Sequence, residues 1–84
     1  MYKRQTFNPA IANTLQVYPN PTSGKLRLDL VDLPEFVSVV DLQGREVLRA
    51  TNTWQLELGD LPVGSYLITA KTREGVFRSV VVVH

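Results

Sequence analysis

The residues able to do chemistry in this sequence are few, and none of them stands in a catalytic arrangement. His84 is the single histidine and the last residue. A general base at a chain end lacks the fixed orientation that proton transfer requires, so His84 reads as a solvent-exposed side chain. Ser65 follows Gly64 but belongs to no Gly-x-Ser-x-Gly elbow, and no histidine accompanies it. Asp29, Asp32 and Glu35 crowd one stretch and offer the oxygen ligands that calcium takes. They lack the dense carboxylate and carbonyl spacing, with its internal glycine, of a calcium loop, and read as solvated charges. Cysteine is absent, which removes disulfides and thiolate metal sites. Pro21 within Asn20-Pro21-Thr22 excludes a glycosylation acceptor. Trp54 and Tyr18 could form a sugar-stacking surface, although such side chains more often cover the edge of a small core. The expectation is a protein that is not an enzyme and that carries no metal or cofactor.

Charge points away from nucleic acid. Nine Lys and Arg stand against eight Asp and Glu, and the basic residues are scattered rather than gathered in a stripe. No apolar stretch approaches the ~20 residues of a membrane-spanning helix. The first residues include Lys3 and Arg4, but the apolar core of a signal peptide does not follow them.

With 84 residues there is room for one small domain. Residues 1–13 show no period of 2 or 3.6 and read as a tether; residues 14–84 read as the domain. Seven strands are predicted over 15–18, 25–30, 36–41, 45–50, 55–58, 65–71 and 76–83. The second is the clearest, with Leu26, Leu28 and Leu30 facing one way and Arg27 and Asp29 the other. Strand-favouring residues fill the runs, and turn residues bound every one. Short strands at regular spacing without helical periodicity predict an all-β, antiparallel sandwich. Pro19 and Pro21 lack an N–H and cannot continue a ladder. Gly24, Gly44 and Gly75 are expected to supply positive φ before the strands that follow them, and Pro62 with Gly64 a type II corner.

The last strand is apolar on both faces near its end. Val76, Val80 and Val82 share one face with Arg78, and Phe77, Val81 and Val83 share the other with Ser79. Such a strand is either buried within its own sandwich or an edge that pairs with a partner.

Four ordered elements carry a resemblance. Val17-Tyr18-Pro19-Asn20-Pro21-Thr22-Ser23-Gly24 with the leucines after it resembles the opening motif of type IX secretion C-terminal sorting domains. Val39-Val40-Asp41-Leu42-Gln43-Gly44-Arg45 resembles their Asp-x-x-Gly-Arg element. Leu61-Pro62-Val63-Gly64-Ser65-Tyr66 is similar to their Leu-Pro-x-Gly-x-Tyr motif, and Val80-Val81-Val82-Val83 to their valine-rich terminal strand. His84 stands where such domains usually carry a lysine. The resemblance implies a seven-stranded immunoglobulin-like sandwich that directs an upstream cargo across the outer membrane. It implies a type IX translocon with its shuttle and sortase proteins as partners, and cleavage in the tether. Passage would run through the periplasm to the cell surface or medium. Pro19, Asn20, Pro21, Gly44, Pro62, Gly64, Tyr66 and Val80 to Val83 are then the expected signal residues, with the terminal strand offered for β-augmentation. A sugar-binding or adhesive module and a structural spacer are the alternatives from other classes, since fold does not dictate function.

Overall fold

The computed structural model describes residues 13–84. The proposed tether therefore lies outside the described residues, apart from Asn13. The strands are β1 (Asn13–Thr14), β2 (Gln16–Tyr18), β3 (Lys25–Asp29), β4 (Phe36–Val40), β5 (Glu46–Ala50), β6 (Gln55–Glu57), β7 (Gly64–Thr72) and β8 (Gly75–Val83). They form a five-stranded sheet in the order β1-β8-β7-β4-β5 and a three-stranded sheet in the order β2-β3-β6. Every pairing is antiparallel except that of β1 with β8, which is parallel.

The seven predicted strands are all present, and a further short strand, β1, precedes the first of them. Leu15 separates β1 from β2, and its buried side chain marks the point where the chain leaves one sheet for the other. That break makes the molecule an immunoglobulin-like sandwich with a shared first strand.

Alternation decides the core. In β3, Leu26 and Leu28 are buried while Lys25, Arg27 and Asp29 face water. From the larger sheet come Val37, Val39, Tyr66, Ile68, Ala70, Val81 and Val83; from the smaller come Leu26, Leu28 and Leu56, with Leu58 just beyond β6. Packing sheet on sheet removes one face of each from water, and that burial is the main stabilising term.

The ambiguity of β8 is resolved. Val81 and Val83 point into the core, whereas Val80 is 57% and Val82 38% exposed on the outer face. The outer face of the larger sheet is itself divided. Val40, Leu67 and Val80 sit directly opposite one another on β4, β7 and β8, and with Val82 form an apolar stripe. Farther along, Arg49 stacks over the Phe36 ring at 4.5 Å and hydrogen-bonds Glu46, which accepts from the Ser38 hydroxyl at 2.6 Å.

Candidate functional site

Because successive strands run up and down, β2, β4, β6 and β8 finish at one end of the sandwich, where β3, β5 and β7 begin. The segments 19–24, 41–45 and 61–64 and the chain's last residues therefore meet at that end. The Thr22–Val83 bridge joins the first of them to the last, and Gly64 pairs with Val83. We refer to this end as the motif pole.

The turn from β4 to β5 is organised by Asp41. One carboxylate oxygen accepts the backbone N–H groups of Gln43 (2.9 Å) and Arg45 (3.0 Å), and the other accepts Arg45 Nε at 3.0 Å. Gly44 closes the turn with φ +87° and donates to the Asp41 carbonyl at 3.0 Å. The Arg45 amide does most to hold the Asp41 carboxyl below its usual range; partial burial opposes it, and the Gln43 amide and Arg45 guanidinium reinforce it. Glu46 is also depressed, first by the Ser38 hydroxyl and then by Arg49. Depressed carboxyls stabilise the fold at and above their ordinary values of 3.8 and 4.5, and lose that effect as pH falls through the lower folded values. The thermal midpoint should therefore drop on acidification below about pH 4, and Asp41→Asn should flatten the drop. Identical pH profiles for the two proteins would show that Asp41 is not linked to folding.

The corner before β7 is fixed by Tyr66. Its ring is buried, and its hydroxyl donates to the carbonyl of Pro62, four residues upstream. This is the tyrosine-corner arrangement of immunoglobulin-like sandwiches, in which a buried ring ties a crossover back onto the strand it precedes. Gly64 opens β7 at φ +155°, but with Pro62 at i+1 a type II turn needs positive φ at Val63, which does not have it, so that expectation is corrected. An open cleft of about 290 Å³ separates this corner from the Asp41 turn. Leu42 (81% exposed) and Val63 (77%) stand on its two sides, in contact with water rather than core.

The terminal motif lies along β8. Leu15 N donates to Arg78 O (2.8 Å), Thr22 N to Val82 O (2.8 Å) and His84 N to Thr22 O (2.9 Å). The Asn20 carboxamide donates to Val80 O at 3.0 Å and accepts from Val82 N at 3.1 Å. The terminal strand is thus not an open edge. The outward carbonyls of Arg78, Val80 and Val82 and the amides of Val82 and His84 already have partners in Leu15, Asn20 and Thr22, and this corrects the picture of a strand free for β-augmentation. Gly24 also differs from expectation, because it does not have positive φ. A Cβ there would lie 2.9 Å from Glu57 Oε1, so the position is held open by crowding instead.

The profile of one protein family, described as "Secretion system C-terminal sorting domain", matches residues 16–84. The chain belongs to that family. None of the curated proteins compared with the chain matches it. The match spans all four motifs gathered at the pole, and the all-β sandwich agrees with it. The sorting domain is the signal of type IX secretion cargo, and a sorting-signal family is not a catalytic one. Such a signal implies export to the cell surface or secretion. The sugar-binding and spacer alternatives are not favoured by this membership.

The remaining candidates sit elsewhere. Asp29 and Asp32 line a cleft of about 480 Å³ at the opposite end, with Thr72, Glu74 and Phe77. Among the described residues no three acidic or histidine side chains are grouped to hold a metal ion. Tyr18 lies on the outer face of the smaller sheet across from Arg27, while Trp54 lends its carbonyl to Leu28 N at 2.7 Å. His84 is exposed. Sequence reasoning missed Asp41, Leu42, Val63 and Thr22 as site residues. Thr22 is buried at the pole, where its hydroxyl donates to Lys25 O at 2.7 Å and accepts from Gly24 N at 3.1 Å. The signal for it was available: a Thr two residues before a Gly, after a proline, favours a hydroxyl-capped turn.

Proposed function

We propose that the type IX machinery reads this domain at the motif pole, through side chains that the fold leaves free there. The observation that carries the reading is the convergence of four separated motifs on one end. Within them, duties divide. Pro19, Asn20, Pro21, Gly44, Pro62, Gly64 and Tyr66, with the buried Val81 and Val83, shape and hold the pole. Leu42 and Val63, on the two sides of the cleft, present apolar surface with no structural task, and Val80 and Val82 add apolar surface on the outer face of the larger sheet. Exposed apolar groups gathered in one region are the usual mark of a protein-binding surface.

In this reading the outer-membrane translocon or a shuttle protein docks on Leu42 and Val63 after the precursor reaches the periplasm. The cargo lies upstream of the tether in the precursor, and a surface sortase cuts within residues 1–13. Apolar docking tolerates a buried charge poorly, so Leu42→Asp combined with Val63→Asp should abolish delivery without unfolding the domain. The full chain is fused behind a reporter bearing an inner-membrane export signal, in a type IX-competent cell, and surface labelling is compared with thermal unfolding. Val31→Asp, at the other end and 96% exposed, is the control and should export normally. Normal surface delivery of the double variant would overturn the assignment.

A further inference from the structure

The segment beside β8 is a strand with a gap in it. Asn13 and Thr14 pair in parallel with Phe77 and Arg78, and the same register carries Leu15 to a place opposite Ser79. The main chain then departs to build β2 in the other sheet, and it returns only at Thr22, opposite Val83. Among the described residues no backbone stands opposite Val81.

The Asn20 side chain stands in that place. Thr22 donates to the carbonyl of Val82 and accepts from the amide of His84, the residues on either side of Val83. The Asn20 carboxamide donates to the carbonyl of Val80 and accepts from the amide of Val82, the residues on either side of Val81. A carboxamide carries the same C=O and N–H as a peptide group, so the two patterns are equivalent. Leu15, Asn20 and Thr22 fall opposite every second residue of β8, the spacing of a parallel ladder. Pro19 and Pro21 bracket the asparagine and have no N–H of their own to offer the edge. Aspartate has the size but lacks the donor for Val80 O, serine and alanine are too short, and glutamine is a methylene too long.

We propose that Asn20 is a strand surrogate that closes the gap in the outer edge of β8 between Leu15 and Thr22, and that without it the segment 15–22 peels away and the uncovered edge pairs with β8 of a second copy of this chain. Residues 79–83 are uncharged, mostly β-branched and free of proline, which is the composition that pairs edge to edge. Two such edges, related by a two-fold axis, present the same donors and acceptors to each other. Sealing the edge with a side chain keeps the domain monomeric while leaving the main chain free to cross between sheets. The inference rests on backbone geometry and is independent of which receptor reads the pole.

The test uses the full 84-residue chain. In wild type the Val82 amide should be protected from hydrogen exchange as the Val81 and Val83 amides are, although those two alternate to the β7 side. In Asn20→Ala, exchange at Val82 should quicken by roughly tenfold, with smaller changes at Val81 and Val83. Sedimentation velocity should show a dimer that grows with concentration in Asn20→Ala and a monomer throughout in wild type. An unprotected Val82 in wild type, an unchanged Val82 rate in the variant, or equal association states for the two proteins would overturn the proposal. Should Asn20→Ala fail to give a β-sheet circular dichroism spectrum, Asn20→Ser carries the same comparison, and the wild-type exchange pattern decides on its own.

Discussion

Val83→Glu should strongly destabilise this domain, and Val82→Glu, one residue earlier on the same strand, should not. Val83 is 3% exposed, closes the core at the motif pole, and lies beside Gly64 and Thr22. A carboxylate there must be buried without a partner or take up a proton, and either costs about 3 kcal/mol or more once lost packing is added. A chain of this length has a net stability of about 4–13 kcal/mol, so the loss takes from about a quarter to most of the margin. Val82 points outward at 38% exposure, where a charge reaches water and the cost stays near 1 kcal/mol. Urea midpoints of the two variants provide the comparison. Equal midpoints would mean that the inward face of β8 has been misassigned. Deleting Val80 to His84, by contrast, removes buried valines and the partners of Asn20 and Thr22 together, so it confounds folding with recognition.

The second large effect falls on Tyr66. Tyr66→Ala should cost about 3–5 kcal/mol, because a 5% exposed ring leaves a cavity between the sheets. Tyr66→Phe keeps the ring and loses only the bond to the Pro62 carbonyl, for about 1 kcal/mol. A receptor cannot touch a side chain so deeply buried. Tyr66 should therefore influence export only through the corner it holds. Surface delivery of the two variants should follow their folded fractions, measured by thermal unfolding at the growth temperature. A Tyr66→Phe variant that is fully folded yet not exported would show direct recognition of the hydroxyl, and would end this account of the motif.

The two variant pairs separate motif residues that build the domain from those available to a partner. Asp41, Gly44 and Tyr66 are what a sequence motif records most visibly, because turns and corners accept few alternatives. Leu42 and Val63 sit between them with their side chains in water, where the fold imposes nothing. A recognition surface can therefore lie in the gaps of the motif that frames it.

Much of this architecture follows from the chain read locally. The alternation of Leu26 and Leu28 with charged neighbours determined β3 and its buried face, since a strand has a side-chain period of two. Gly44 determined a tight turn before β5, and the absence of any helical stripe determined the fold class. The four motifs, by type and order, determined the family. Three things were decided only by tertiary structure. Which valines of β8 are buried depends on the sheet packed against it, because both faces of the strand are apolar in sequence. The break at Leu15 depends on two sheets competing for one strand. The role of Asn20 depends on hydrogen bonds to residues 60 and 62 positions away, and local propensity carries no information across such a distance. Period and turn chemistry act over a few residues and can be read there; the closing of an edge joins segments from opposite ends of the domain, and exists only once the sandwich has formed.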